Sequence, residues 1–251
     1  TILELAELKE TGRLKALIVS GCLTQRYKEE LMKEMPEIDG IVGTGDFHHI
    51  ADIVEEALGG KKPVRVGHPA FDYDRALPRR VMTPRYTAYV KIAEGCDNAC
   101  TFCSIPLMRG KFRSRSIESI VREVETLAAQ GVKEICLIAQ DSTNYGADLY
   151  GSFKLPELLN RVSEVDGVAW VRLHYAYPGF FTDELIDTFA SNPKICRYFD
   201  IPLQHSEDFI LKRMRRPGRQ RDARELIAKI RARIPDAAIR TSIIVGFPGE
   251  T

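Results

Sequence analysis

What this sequence lacks sets its first limits. It has no excess of one charge: 36 Lys and Arg stand against 35 Asp and Glu, a formal net charge of +1. A chain so balanced has no global field toward nucleic acid or an anionic membrane, so any such partner must be met by a local patch. It has no apolar run long enough to cross a bilayer. No stretch of it reads as a signal peptide, and because the chain opens on Thr1 its native start is expected further upstream. It has no extracellular disulfide ladder. Its six cysteines stand at 22, 96, 100, 103, 136 and 196, and Cys136 and Cys196 lie in the apolar runs EICLIAQ and KICRYFD, where a small buried thiol fits. A reduced, cytoplasmic protein is expected. With 44% hydrophobic and 28% charged residues, the 251 residues have the composition of an ordinary globular chain with one large core or two modest ones.

What is present is an alternation. LKALIVSGC (14–22) reads as a buried strand, QRYKEELMKEM (25–35) as a helix stopped by Pro36, IDGIVGTG (38–45) as a second strand, and HHIADIVEEALGG (48–60) as a helix closed by glycines. Residues 61–85 hold Pro63, Gly67, Pro69, Pro78 and Pro84 and little periodicity, which predicts a linker. The alternation then resumes. AYVKIAEG (88–95) reads as a strand and residues 116–131 as a helix, capped by Ser116, striped with Ile117, Ile120, Val121, Val124 and Leu127, and ended by Gly131. Strands at 134–140, 170–178, 198–204 and 238–247 alternate with helices at 155–165, 182–191, 206–214 and 221–233. Alternating strand and helix with right-handed crossovers predicts a parallel sheet. The expected fold class is α/β: a partial parallel (βα) barrel over 86–251, preceded by part of a small α/β domain at 1–60. The whole reads as an excerpt of a larger protein.

On that frame the unusual residues gather at one end. Cys96, Cys100 and Cys103 follow the first barrel strand, Gln140 and Asp141 the second, Tyr177 and Pro178 the third, Gln204 and His205 the fourth, and Gly246, Pro248 and Gly249 the fifth. These are C-terminal strand ends, where α/β barrels build their sites.

The cysteines are spaced C-x-x-x-C-x-x-C. On a helix they would form a buried stripe of small residues, but Gly95, Asp97 and Asn98 favour a turn. Zinc needs a fourth ligand, and neither His68 nor His174 bears a spacing relation to the motif. A cubane iron–sulfur cluster takes three thiolates and leaves one iron open for another ligand, which suits an odd cysteine count.

This loop, on this frame, resembles the radical S-adenosylmethionine enzymes. The resemblance implies a 4Fe–4S cluster on Cys96, Cys100 and Cys103, S-adenosylmethionine on the open iron, and a 5′-deoxyadenosyl radical formed by reductive cleavage. Phe102 matches the family's aromatic residue beside the adenine; read alone it would be ordinary packing. AEGCDNACTFCSIPLMRGKFRSRS with IVGFPGET is similar to the methylthiotransferase branch, which carries a second cluster in an N-terminal domain. VSGCLTQRY resembles the stretch holding that cluster's third ligand, so Cys22 is the expected counterpart, with two partner cysteines upstream that the 251 residues do not contain.

Within the branch, AQDSTNYGADLYG (139–151) and DIPLQHSEDFILKRMRR (200–216) resemble the ribosomal-protein methylthiotransferases, which modify the β-carbon of an aspartate in a small-subunit ribosomal protein. A tRNA-adenosine methylthiotransferase is the alternative target class, and a non-catalytic iron–sulfur or zinc-binding module the alternative of another kind. The resemblance further implies a reductant protein. Gln140, Asp141 and Gln204 are expected near the cofactor. The basic runs RGKFRSR (109–115) and LKRMRRPGRQRDAR (211–224) read as a charged rim or solvated face, the second also as a ribosomal RNA contact or a helix terminus whose dipole favours cations.

Overall fold

The computed structural model describes residues 1–69, 79–216 and 218–251. The expected linker therefore lies in part, at 70–78 and including Pro78, outside the described residues. The chain divides into two compact units, Thr1–Asp72 with Ser104–Gly110, and Tyr73–Cys103 with Lys111–Thr251.

The first unit runs α1 (Ile2–Glu10), β1 (Ile18–Ser20), α2 (Cys22–Glu34), β2 (Gly40–Val42), α3 (Ile50–Leu58) and β3 (Val64–Arg65). The strands are parallel in the order β1-β2-β3, with Ile18 opposite Gly40 and Ile41 opposite Val64. Ala6, Leu17, Leu31, Ile38 and Ile41 form its core. Lys9 Nζ lies 2.7 Å from Asp39 Oδ1, while Asp39 Oδ2 accepts the Leu17 amide at 2.8 Å and ties α1 to the sheet edge. Burial alone would raise the Asp39 carboxyl; the bonds from Lys9 and Leu17 and the charges of Lys9 and Lys62 outweigh it and hold the carboxyl below its usual range.

Three expectations change here. The strand placed at 14–22 shrinks to three residues, because Gly21 at φ +121° turns the backbone out of the ladder and Cys22 opens α2. Helix α2 is kinked at Lys28, whose φ is +47°. The stretch expected as linker supplies β3, which extends the small sheet.

The second unit begins with β4 (Thr87–Lys91) and β5 (Ala93–Glu94). The chain passes through α4 (Ile105–Arg109), which belongs to the first unit, and returns with β6 (Arg113–Ser114). There follow α5 (Ile117–Ala129), β7 (Glu134–Ile138), α6 (Ala147–Tyr150), α7 (Leu155–Ser163), β8 (Trp170–Leu173), α8 (Asp183–Ser191), β9 (Tyr198–Asp200), α9 (Asp208–Arg213), α10 (Gln220–Arg233) and β10 (Ala238–Arg240).

Strand β7 pairs in parallel with both β4 and β8, and β9 pairs in parallel with β10. A parallel bridge from Val171 to Ile195 and the Ala176 amide on Asp200 O join the two groups. The order β4-β7-β8-β9-β10 is thus that of a one-way (βα) barrel left open; among the described residues no strand links β10 back to β4.

Alternation decides the two faces of this sheet. Ala88, Val90, Ile135, Leu137, Val171, Leu173 and Phe199 are buried against α5, α7 and α8. The opposite face is polar and aromatic. Arg172 donates to Glu134 at 2.8 Å, Arg240 to Asp200 at 2.7 Å, and His174 lies between the rings of Tyr89 and Tyr198. The expected strands run longer than the observed ones because apolar residues continue past each ladder. Ala176, Tyr177 and Ile201 stay buried after the backbone has left it. No helix among the described residues is long and apolar enough to cross a membrane.

Candidate functional site

The three-cysteine loop leaves β5 through Gly95, whose φ of +83° is open to glycine at little cost. It contains no helix, as Gly95, Asp97 and Asn98 predict. Side chains from neighbouring strand ends fix its path. Gln140, just past β7, accepts the Gly95 amide at 2.8 Å. Asn98 Nδ2 donates to Asp141 Oδ2 at 2.9 Å and lies 3.4 Å from Cys96 Sγ; Thr143 donates to the other Asp141 oxygen at 2.8 Å. Asp97 Oδ1 accepts the Phe112 amide at 3.2 Å. The Thr101 amide donates to Met214 O at 3.0 Å and its hydroxyl to Arg213 O at 3.1 Å, fastening the loop to the end of α9. A turn from the Cys103 amide to Cys100 O, at 3.1 Å, sets the last two cysteines.

All three thiols are free. Cys100 is buried, Cys96 half-buried and Cys103 exposed, with Phe102 more than a third exposed beside them. Burial pushes the Cys96 thiol up; Asn98 opposes this, and Asp141 and Cys100 add to it. Binding a metal centre there must therefore displace a proton. Among the described residues no three His, Cys, Asp or Glu side chains converge on a point that could hold one ion. This arrangement does not fit a single tetrahedral zinc. The donor set, three free thiols on one loop, suits a cubane instead, which takes one thiolate at each of three iron corners.

Gln140 and Asp141 thus meet the loop itself. Burial raises the Asp141 carboxyl against the bonds from Thr143 and Asn98. Gln204, at φ +73°, bridges to Ile243 through its backbone, donating to Ser242 O at 2.8 Å and accepting from Ile244 at 2.7 Å. Tyr175, at φ +59°, lies two residues past β8 in the same left-handed region. Non-glycine residues held there mark positions where the fold overrides local preference. His205 Nδ1 accepts the Glu207 amide at 2.9 Å, and its Nε2 lies 3.3 Å from Glu250 Oε1, so IPLQH and GFPGET meet. A cleft of about 410 Å³ opens beside them, lined in part by Pro178, Leu203, His205, Arg216, Arg219 and Asp222.

Cys22 belongs to the other unit. It is the first residue of α2, and Arg109 Nε, from α4, lies 3.2 Å from its sulfur. The run 109–115 accordingly does not form one solvated rim. Arg109 turns to Cys22, and Arg115 is buried, donating to Glu123 at 2.6 Å and Lys91 O at 2.7 Å.

Sequence reasoning missed Arg216 and did not separate Tyr177 from its strand. Arg216 is buried, with Nη1 3.8 Å from Cys100 Sγ and its guanidinium 4.3 Å above the Tyr177 ring. Burial pushes the Tyr177 hydroxyl up to about 12, although Arg216 pulls the other way. The remaining signal in the sequence is indirect: Leu211 and Met214 form a buried face leading up to Arg216.

A parallel open barrel with three free thiols on the loop after its first strands defines a class, and comparison with known families agrees. Residues 90–251 match the model of the Radical SAM superfamily, and the chain belongs to that superfamily. The whole chain is 56% identical over 251 residues to the ribosomal protein uS12 methylthiotransferase RimO of Desulforamulus reducens and 53% identical over 252 residues to that of Geobacter sulfurreducens. It covers 56% of the length of each, so it spans a little over half of these relatives.

Among solved structures, the radical S-adenosylmethionine methyltransferase TsrM from Kitasatospora setae superposes on the entire chain at a TM-score of 0.69 and 19% identity, using 54% of its own length. The cobalamin-dependent S-adenosylmethionine radical enzyme OxsB covers 96% of the chain at a TM-score of 0.67 and 14% identity, using 38% of its length. These two likenesses bear on the fold.

Proposed function

We propose that the chain is the radical-generating portion of a ribosomal-protein aspartate methylthiotransferase, with part of its N-terminal domain. The domains would be that N-terminal part at 1–60, a linker at 61–85 whose first residues pair as β3 with the small sheet, and the partial barrel at 86–251. The observation that carries the reading is identity of 51–56% along the full chain to enzymes named for uS12 methylthiolation. A loop of three free thiols tied by five hydrogen bonds to its surroundings supports the chemistry.

Cys96, Cys100 and Cys103 would hold a 4Fe–4S cluster, and Cys22 would be one ligand of a second. When bound, the first cluster supplies the electron that cleaves S-adenosylmethionine to the hydrogen-abstracting radical. The chain's own residues hold that chemistry in place. Gln140, Asp141 and Asn98 fix the loop, Phe102 offers a ring to the adenine, and Gln204, on a strand end at the same mouth, faces the cofactor. Asp141 and Gln140 border the cofactor's polar end through the loop they support.

The substrate would be an aspartate of a small-subunit ribosomal protein, met in the cytoplasm, with a low-potential protein as reductant. Any ribosomal RNA contact falls to the exposed cations Lys212, Arg213, Arg215, Arg219, Arg221 and Arg224, since Arg216 is buried.

The test is to incubate the full-length parent protein, reconstituted anaerobically, with the ribosomal protein and with tRNA. A methylthio mass increment on an aspartate-containing peptide is expected. Methylthio-adenosine in the tRNA instead would move the target to the alternative class.

A further inference from the structure

We propose that Arg216 is a positioning residue that sets the reduction potential of the cluster on the three-cysteine loop, by holding a positive charge against the sulfur of Cys100. The proposal rests on the reading that this loop carries a cluster.

The position is unlike that of the other cations in LKRMRRPGRQRDAR. Lys212, Arg213, Arg215 and Arg219 are exposed; Arg216 is 7% exposed. Its Nη2 donates to Pro202 O, its face lies on the Tyr177 ring, and its Nη1 points to Cys100 Sγ at 3.8 Å. No carboxylate pairs with it among the described residues, and neither its Nε nor the Tyr177 hydroxyl finds a hydrogen-bond partner there. A buried guanidinium without an anion is costly, because desolvation goes unreturned. The group facing it that becomes anionic is the Cys100 sulfur, once it is a thiolate ligand. Two orphaned polar atoms, each on a side chain more than nine-tenths buried, mark this as a place built to face a further group.

The direction of the effect follows from charge. One-electron reduction by an external low-potential donor adds one negative charge to the cluster and breaks no bond. A fixed cation in a low-dielectric setting favours that more anionic form, and a hydrogen bond to a ligating sulfur does the same. Arg216 therefore raises the potential and eases electron entry.

The experiment is a redox titration of the anaerobically reconstituted chain, following the reduced cluster by electron paramagnetic resonance, with iron and sulfide measured on every sample. Arg216→Gln and Arg216→Met remove the charge in two ways, so a folding failure of one leaves the other. Arg216→Lys keeps the charge, and Arg213→Gln removes an exposed one nearby. At the wild-type midpoint the ratio of reduced to oxidised cluster should fall about tenfold in the neutral variants. It should stay within about twofold in Arg216→Lys and Arg213→Gln. Full iron with an unshifted midpoint in the neutral variants overturns the proposal, as does an equal shift in Arg213→Gln. Wild-type chain that takes up no cluster would instead sink the reading beneath it.

Discussion

Cys100 and Cys22 each sit beside an arginine, and the two settings are built differently. Cys100 lies in a loop with no regular structure, yet that loop is tied to the end of β7 through Gln140 and Asp141, to Phe112 beside β6 and to the end of α9. Cys22 opens a helix, after a glycine at φ +121°, and its sulfur contact comes from Arg109 on α4 of the same unit. The first setting presents three thiols within eight residues; the second presents one. A loop over-determined by hydrogen bonds holds ligands in place before anything binds, whereas a single thiol at a helix start depends on partners brought from elsewhere. The cores differ in the same sense. The second unit packs a continuous apolar layer against α5, α7 and α8, and the first closes over a cluster of five buried residues, of which Ile38 and Ile41 are fully buried.

The contrast can be broken by substitution, most strongly at the thiols. Cys100→Ala should reduce reductive cleavage of S-adenosylmethionine by more than the about 10–100-fold that loss of a supporting group costs. Cys22→Ala should leave 5′-deoxyadenosine formation near its starting level. Chromatographic assay of 5′-deoxyadenosine reads both, and equal losses would erase the distinction.

Phe102→Ala sharpens the picture within the loop. The ring is exposed and contributes little to packing, so the cluster spectrum should persist while S-adenosylmethionine affinity drops by about 1–3 kcal/mol, the scale of base–aromatic stacking. Equilibrium binding on the reconstituted chain checks it, and unchanged affinity with intact iron retires the assignment.

The smallest effect belongs to the first unit. Asp39 is held below its ordinary range when folded, so its contribution is fully present above the unfolded value near 3.8 and is lost as pH falls through the lower folded value. Asp39→Asn should cost about 1–2 kcal/mol at neutral pH and flatten the acid limb of stability. Urea titrations of both proteins at neutral and acid pH measure this.

Much of this contrast is legible in the sequence, and the reason is local. The apolar runs at 134–140 and 170–178 and the capped stripe at 116–131 announce alternating strands and helices, because burial on one sheet face and one helix face leaves a period. C-x-x-x-C-x-x-C with Gly95, Asp97 and Asn98 announces a ligand loop. Strand ends are less legible: Tyr175 and Gln204 leave the ladder at positive φ while the apolar pattern runs on. The third strand of the small sheet was hidden because Val64–Arg65 is two residues long among prolines and glycines. Arg216 was hidden for a different reason. A single buried cation has no period, and inside a basic run its neighbours disguise it.

The most direct test of the central claim is an iron count. Anaerobic reconstitution of the chain should load about four irons at the loop, as a cysteinyl cubane requires. The Cys96→Ala, Cys100→Ala, Cys103→Ala triple variant should lose that iron and its absorption while remaining folded. A triple variant with the same iron and the same spectrum as the parent would show that the three-cysteine loop is not where the cluster is held.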